Sequence, residues 1–227
     1  MDKAFDSISE KLSIGLLLAM VGGFLDAYTY LIRSRVFANA QTGNMVLFGI
    51  NLMNGDFLKA FYYFLPIFAY FLGIMLALYF KKALKNSNVH WRQLILIFEI
   101  LVLFLVGLVP VGNWNSIVNI LISFICALQV QAFTKVHGLN FASTMCTGNL
   151  IKAANSLDLY FLDHHKKNVI NFFKYLLIIL IFIFGAIMGA IFSKIFIEKA
   201  IYFPMVVLII VLIIFMYSQN KIRNLNK

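Results

Sequence analysis

The triplet Thr42-Gly43-Asn44 stands between a long apolar stretch and a short one, and it returns in the same setting as Thr147-Gly148-Asn149. Internal repeats decide a fold before any single segment does. Setting the triplets in register pairs Ala27 with Ala132 and Thr29 with Thr134, and opposes Asp26 to Gln131 and Gly22 to Ala127. These matches fall on polar positions of otherwise greasy segments, where an accidental match is less expected than among the leucines. The echo continues beyond the triplets: FLGIMLA at 71–77 is answered by FGAIMGA at 184–190. The chain reads as one unit used twice, over about 13–112 and about 117–218.

Of the 227 residues, 62% are hydrophobic and 12% charged, whereas an ordinary soluble domain is about 45 to 50% apolar. A spanning helix needs about 20 apolar residues, so residues 1–227 make one integral membrane domain of several spans. The formal charge of +10 on a soluble protein would suggest a nucleic-acid partner. Here the basic residues lie between apolar runs, so they report topology and no nucleic acid is expected. Two cysteines, Cys126 and Cys146, have no neighbouring His or Cys at ligand spacing, so neither a metal site nor a disulfide framework is expected, and no cofactor. Residues 1–11 are polar and run directly into a full-length apolar stretch, so the first span is expected to be retained.

Six stretches are long enough to cross: about 13–32, 60–80, 93–111, 117–136, 169–192 and 200–218. Two runs are too short, 45–53 and 150–157, and each follows a triplet. Thr or Asn before an apolar run is an N-cap signal, and Asn54-Gly55-Asp56 marks a turn. The first span carries Gly15, Gly22, Asp26 and Thr29 on one face. An intramembrane carboxylate is by default functional; the plainer reading is a loop cap or a pair with Arg33. Glu99 has two readings, facing the bundle or sitting beside Arg92 at the surface. Adjacent His164 and His165 do not share a helical face and read as solvated. Gly185 and Gly189 read as packing devices, inside the bundle or between copies in a homo-oligomer.

The densest basic loop, Lys81, Lys82, Lys85 and Arg92, fixes its side as cytoplasmic. Six spans with both termini cytoplasmic place most of the Lys and Arg inside, while eight spans divide them almost evenly. Seven spans give the same balance as six, and equivalent behaviour of the two halves favours six. Three spans per half invert the second half, an arrangement found in transporters with sites near the midplane. The expected fold is therefore an all-α polytopic bundle of six spans, seven being possible, plus two short membrane-embedded segments in an inverted repeat. The candidate substrate-binding residues are Asp26, Thr29, Thr42, Gly43, Asn44, Gln131, Thr134, Thr147, Gly148 and Asn149.

At GGFLDAYTYL (22–31) and both TGN triplets the chain resembles the YoaK family of small bacterial multipass membrane proteins. The resemblance implies the bacterial cytoplasmic (inner) membrane and supplies no substrate. The acid at position 26 has no counterpart at Gln131, which departs from a symmetric role for the two helices. Two functions stand against each other. One is a small-solute or ion transporter or channel lined by the residues above. The other is a non-transporting membrane protein that binds a partner or lipid, its polar residues serving as helix contacts. An enzyme is not expected, because no Ser/His, Cys/His, paired-acid or HExxH constellation supplies a nucleophile and base. Water access to Asp26 separates the two.

Overall fold

A computed structural model describes residues 10–84, 90–136, 139–141 and 146–225. Lys3, Lys85, His137 and Lys227 lie outside these. The chain is helical almost throughout: α1 (Leu12–Ile32), α2 (Gln41–Met53), α3 (Phe57–Ala83), α4 (Trp91–Val106), α5 (Asn115–Ala132), α6 (Cys146–Asp163), α7 (Lys166–Phe196) and α8 (Tyr202–Leu225). A 3-10 turn, Ile197–Ile201, joins the last two, and a two-residue antiparallel ladder, β1 (Lys135–Val136) with β2 (Leu139–Asn140), follows α5.

Among the described residues four stretches are long and apolar enough to cross a membrane: Leu12–Ile32, Phe57–Ala83, Asn115–Ala132 and Lys166–Tyr217. The last runs from α7 through the 3-10 turn into α8. Large apolar side chains such as Phe68, Phe71, Ile183 and Ile210 are exposed along these helices, as hydrocarbon solvent permits and water does not. The predicted segment 93–111 is shorter as a helix, ending at Val106.

The short runs differ from their prediction. α2 begins at Gln41 and α6 at Cys146, each one residue before its threonine, so the triplets lie inside the first turn. The N-cap of α2 is Ala40, without a side-chain cap. α6 also continues to Asp163, past the end of the short apolar run at residue 157. The turn at 54–56 is as expected: Gly55 has φ +73, and the Asp56 carboxylate accepts the Lys59 N–H at 3.0 Å to cap α3.

Packing pairs the helices in a regular way. α1 lies chiefly on α7, α3 on α5, α2 on α3, α6 on α7, and α4 on α8; smaller contacts join α4 to α5 and α8 to α1. Exchanging α1–α4 for α5–α8 in order carries every one of these contacts onto another or onto itself. Small residues permit both principal crossings. In one, the Cα of Gly73 faces the Phe124 carbonyl. In the other, Gly23 faces the Phe182 carbonyl and Gly185 the Met20 carbonyl, and a Cβ on Gly189 would lie 2.6 Å from the Phe24 carbonyl oxygen. Gly185 and Gly189 are thus buried against α1 within the chain, so an interface between copies would have to use other surface.

Ile197 ends α7 at φ 52, ψ −124, with its side chain exposed. A β-branched residue is strained there, and such strain costs about 1 to 3 kcal/mol. Ile197→Gly is therefore expected to raise stability by about 1 kcal/mol after glycine's greater unfolded-state freedom is subtracted. Thermal unfolding of the purified protein checks the sign; a lowered midpoint would show the side chain to be needed.

Candidate functional site

The last turns of α1 deliver Asp26, and the chain then reverses through two consecutive left-handed residues, Ser34 (φ 67) and Arg35 (φ 59). The reversal lays the 36–40 connection back along α1. The backbone N–H of Asn39 donates to Asp26 Oδ1 at 2.7 Å, and Asn39 Nδ2 donates to the Gly22 carbonyl at 3.3 Å. Asp26 is only 7% exposed. Its donor comes from its own half of the chain. The short reversal after α1 is what brings the Asn39 N–H within reach of the carboxylate.

The triplet residues divide their work. Asn44, fully buried, donates from Nδ2 to the Phe37 carbonyl and to Gln41 Oε1, both at 2.8 Å, while its Oδ1 accepts the Phe37 N–H at 3.0 Å. Gln41 Nε2 in turn donates to the Ala38 carbonyl at 2.8 Å. The connection is therefore tied to the first turn of α2. Gly43 leaves room for the Phe37 ring, which would lie 2.9 Å from a Cβ at that position. Thr42 is left to face outward.

It faces a cavity of about 650 Å³ whose lining includes Asp26, Thr42, Thr147 and Gly148. Tyr30, Phe37, Tyr70 and Phe182 supply aromatic walls and Asn39, Gln41 and Cys146 further polar groups; among the described residues no Lys, Arg or His lines it. The first turns of α2 and α6 thus meet at one space, with a single carboxylate. Among the other expected residues, Thr29 is buried and its Oγ1 donates to the Leu25 carbonyl at 2.9 Å. Asn149 is fully buried on α6. Gln131 is half-buried and Thr134 exposed, neither of them lining the cavity. The reason is the helix length: α5 ends at Ala132, the counterpart of Ala27, while α1 runs on to Ile32. His164 and His165 are exposed, as expected; beside them the Asp163 carboxyl is held below the usual range by accepting the His165 N–H and the Asn168 amide.

A second polar centre was not foreseen. Arg33 is fully buried. Its Nε and Nη2 donate to the Tyr28 hydroxyl at 3.2 and 2.9 Å, Nη2 to the Val109 carbonyl at 2.7 Å, and Nη1 to the Pro110 carbonyl and Asn115 Oδ1 at 3.0 and 3.1 Å. Asn119 Nδ2 donates to the Arg33 carbonyl at 2.6 Å, and Asn115 Nδ2 to Ser34 Oγ at 3.0 Å. Tyr28 donates onward to the Glu198 carbonyl at 3.2 Å. This network holds the strained exit of α1 in place. Its one sequence signal is Asn115 and Asn119, four apart at the start of a span, which read as ordinary interfacial polarity. Arg33 pairs neither with Asp26 nor with open water.

Over residues 14–214 the chain matches the model of a family described as a protein of unknown function, DUF1275. The chain belongs to the DUF1275 family. The match takes in both halves, the cavity and the Arg33 network, and is consistent with the YoaK resemblance. No curated protein and no solved structure matches the chain. The DUF1275 assignment and the four spanning stretches together make this a membrane protein.

Proposed function

We propose that this DUF1275 chain is a small-solute transporter or channel whose path runs through the cavity between the first turns of α2 and α6. One observation carries the reading: Asp26, Thr42, Thr147 and Gly148, drawn from opposite halves of the sequence, line one space. A pocket of this size suits a small solute. Gln41, Thr42, Cys146, Thr147 and Gly148, all in the first turns of α2 and α6, line it, and helix N-termini facing a solute are the device by which broken helices hold solutes in other transporters. The contact pattern, unchanged when the halves are exchanged, supports a repeat of two equivalent halves completed by α4 and α8; three spans per half would invert the second, and the Lys and Arg distribution supports six spans with both termini cytoplasmic. The membrane is taken to be the bacterial inner membrane.

Cys146 tests this without knowledge of the solute. It lines the cavity and is half-buried, whereas Cys126 is 2% exposed. A charged, membrane-impermeant thiol reagent should modify Cys146 in intact vesicles and spare Cys126. Modification only after denaturation would mean a dry cavity and remove the transport reading. The competing reading, a packing role, is favoured by one fact: Asp26 already accepts a backbone N–H and is nearly buried. The two separate at position 26. Asp26→Asn is expected to keep the fold, since its amide oxygen can still accept from Asn39, and to abolish proton- or cation-dependent flux in proteoliposomes. Asp26→Leu should cost about 1 to 3 kcal/mol in stability by leaving that N–H unpaired.

A further inference from the structure

The cavity wall holds one carboxylate, Asp26, and among the described residues no Lys, Arg or His stands beside it to offset its charge. Glu99, fully buried in α4, lies outside the lining. Arg33, seven residues on from Asp26, is committed to Tyr28 and to the 109–115 stretch. A carboxylate at such depth calls for an opposite charge or for donors. The Asn39 N–H, at 2.7 Å, supplies a donor but no charge. The neutral groups of the wall point the same way. Asn39 is itself buried, its Nδ2 donates to the Gly22 carbonyl, and its Oδ1 has no partner among the described residues. The Gln41 amide is spent on the Ala38 carbonyl and on Asn44. This side of the wall is short of donors, not of acceptors. The rest is largely apolar, with Leu31, Met45 and Ala186 beside the four aromatic rings, of which Tyr30 and Phe37 stack with centroids 4.8 Å apart. Aromatic faces attract a cation, the more so out of water, and they also cover hydrocarbon.

We propose that the cavity binds a protonated organic amine, its ammonium group at Asp26 and its hydrocarbon part against the aromatic rings. An ammonium brings both the charge and the N–H donors that the wall lacks. A bare metal cation would instead need a shell of oxygen ligands, and most of this lining is carbon. The starts of α2 and α6, positive in partial charge, leave Asp26 as the place for the cationic group. This assignment rests on the transport reading, which requires the cavity to admit solutes.

Cys146 lines the same cavity, so an occupant should shield it. The purified full chain in detergent micelles is treated with a cationic thiol reagent, and modification of Cys146 is followed by mass spectrometry with phenethylammonium, with neutral phenethyl alcohol or with phenylacetate present. Saturating phenethylammonium should slow the modification by about tenfold or more, since only unoccupied protein reacts. The alcohol and the anion should leave the rate near its value without additive, and in Asp26→Asn the protection by the amine should vanish. Should that variant fail to fold, the three compounds compared on the wild type still decide. Equal protection by amine and alcohol, protection by phenylacetate alone, protection by none of the three, or protection retained in Asp26→Asn overturns the amine assignment. The solute path survives each of these results, because Cys146 still reacts. A Cys146 that resists the reagent until the protein is denatured is the other failure: the cavity is then dry, and the transport reading falls together with this assignment.

Discussion

Arg33→Leu is expected to be the most damaging single change in the molecule, lowering stability by about 3 to 6 kcal/mol. Leucine fills part of the space but donates nothing. The Tyr28 hydroxyl, the Val109 and Pro110 carbonyls and Asn115 Oδ1 all lose a donor. A buried group left unpaired costs about 1 to 3 kcal/mol; Asn115 Oδ1 keeps the Gly112 N–H and Pro110 is exposed, so the cost falls chiefly on the Tyr28 hydroxyl and the Val109 carbonyl, with only partial relaxation available in a packed bundle. The loss also releases the carbonyl side of Ser34 and Arg35, which hold left-handed conformations only because their surroundings impose them. Arg33→Lys should recover little, since an ammonium offers its donors from one point while the acceptors are spread around a planar fork. Denaturant or thermal unfolding in mild detergent measures both. A midpoint within error of the wild type for Arg33→Leu would mean that water replaces the guanidinium and that the network holds nothing.

Gly185→Leu comes next. A Cβ there meets the backbone of Met20, and backbone cannot step aside as a side-chain tip can. Accommodating leucine requires α1 and α7 to part along the largest helix contact in the bundle, and overpacking of this kind costs about 3 kcal/mol or more. Gly189→Leu and Gly23→Leu should behave alike, because all three lie on the same crossing. Gly49→Leu is the control: nothing lies within 4 Å of a Cβ at that position on α2, and the change should be neutral or slightly stabilising. Comparable losses at Gly49 and Gly185 would point to general glycine effects in place of a crossing.

The helices were legible because long apolar runs and a turn such as Asn54-Gly55-Asp56 are local signals. The triplets were legible as a repeat, and their register one residue into each short helix is the same in both halves. Local signals end where contacts with distant sequence take over. Nothing near Arg33 announces Asn115 or the Val109 carbonyl, so a residue at the end of an apolar run read as an interfacial charge. Glu99 could equally have turned outward toward Arg92. Gln131, which the repeat sets opposite Asp26, does not line the cavity for another reason: α5 stops one residue after it, whereas α1 continues six residues beyond Asp26. α6 runs to Asp163 although its apolar run ends at residue 157, because helical hydrogen bonding continues through the largely exposed polar residues beyond it.

The Arg33 network binds the end of α1 to α3 through Tyr62, to the α4–α5 connection, to α5, and through Tyr28 to the turn between α7 and α8. Both halves of the chain are fastened at this level, as they also are along the α1–α7 and α3–α5 crossings. In a rocking motion pivoted at this level, the amplitude of the swing would grow with distance along the helices. Asp26 lies seven residues back along α1, roughly 10 Å from the pivot at 1.5 Å per residue. A rotation of about 10° would therefore carry its carboxylate by only about 2 Å. The far ends of α1 and α7 would travel more, so the gate of such a machine belongs at the end of the bundle away from Arg33, and the fastened end acts as its hinge.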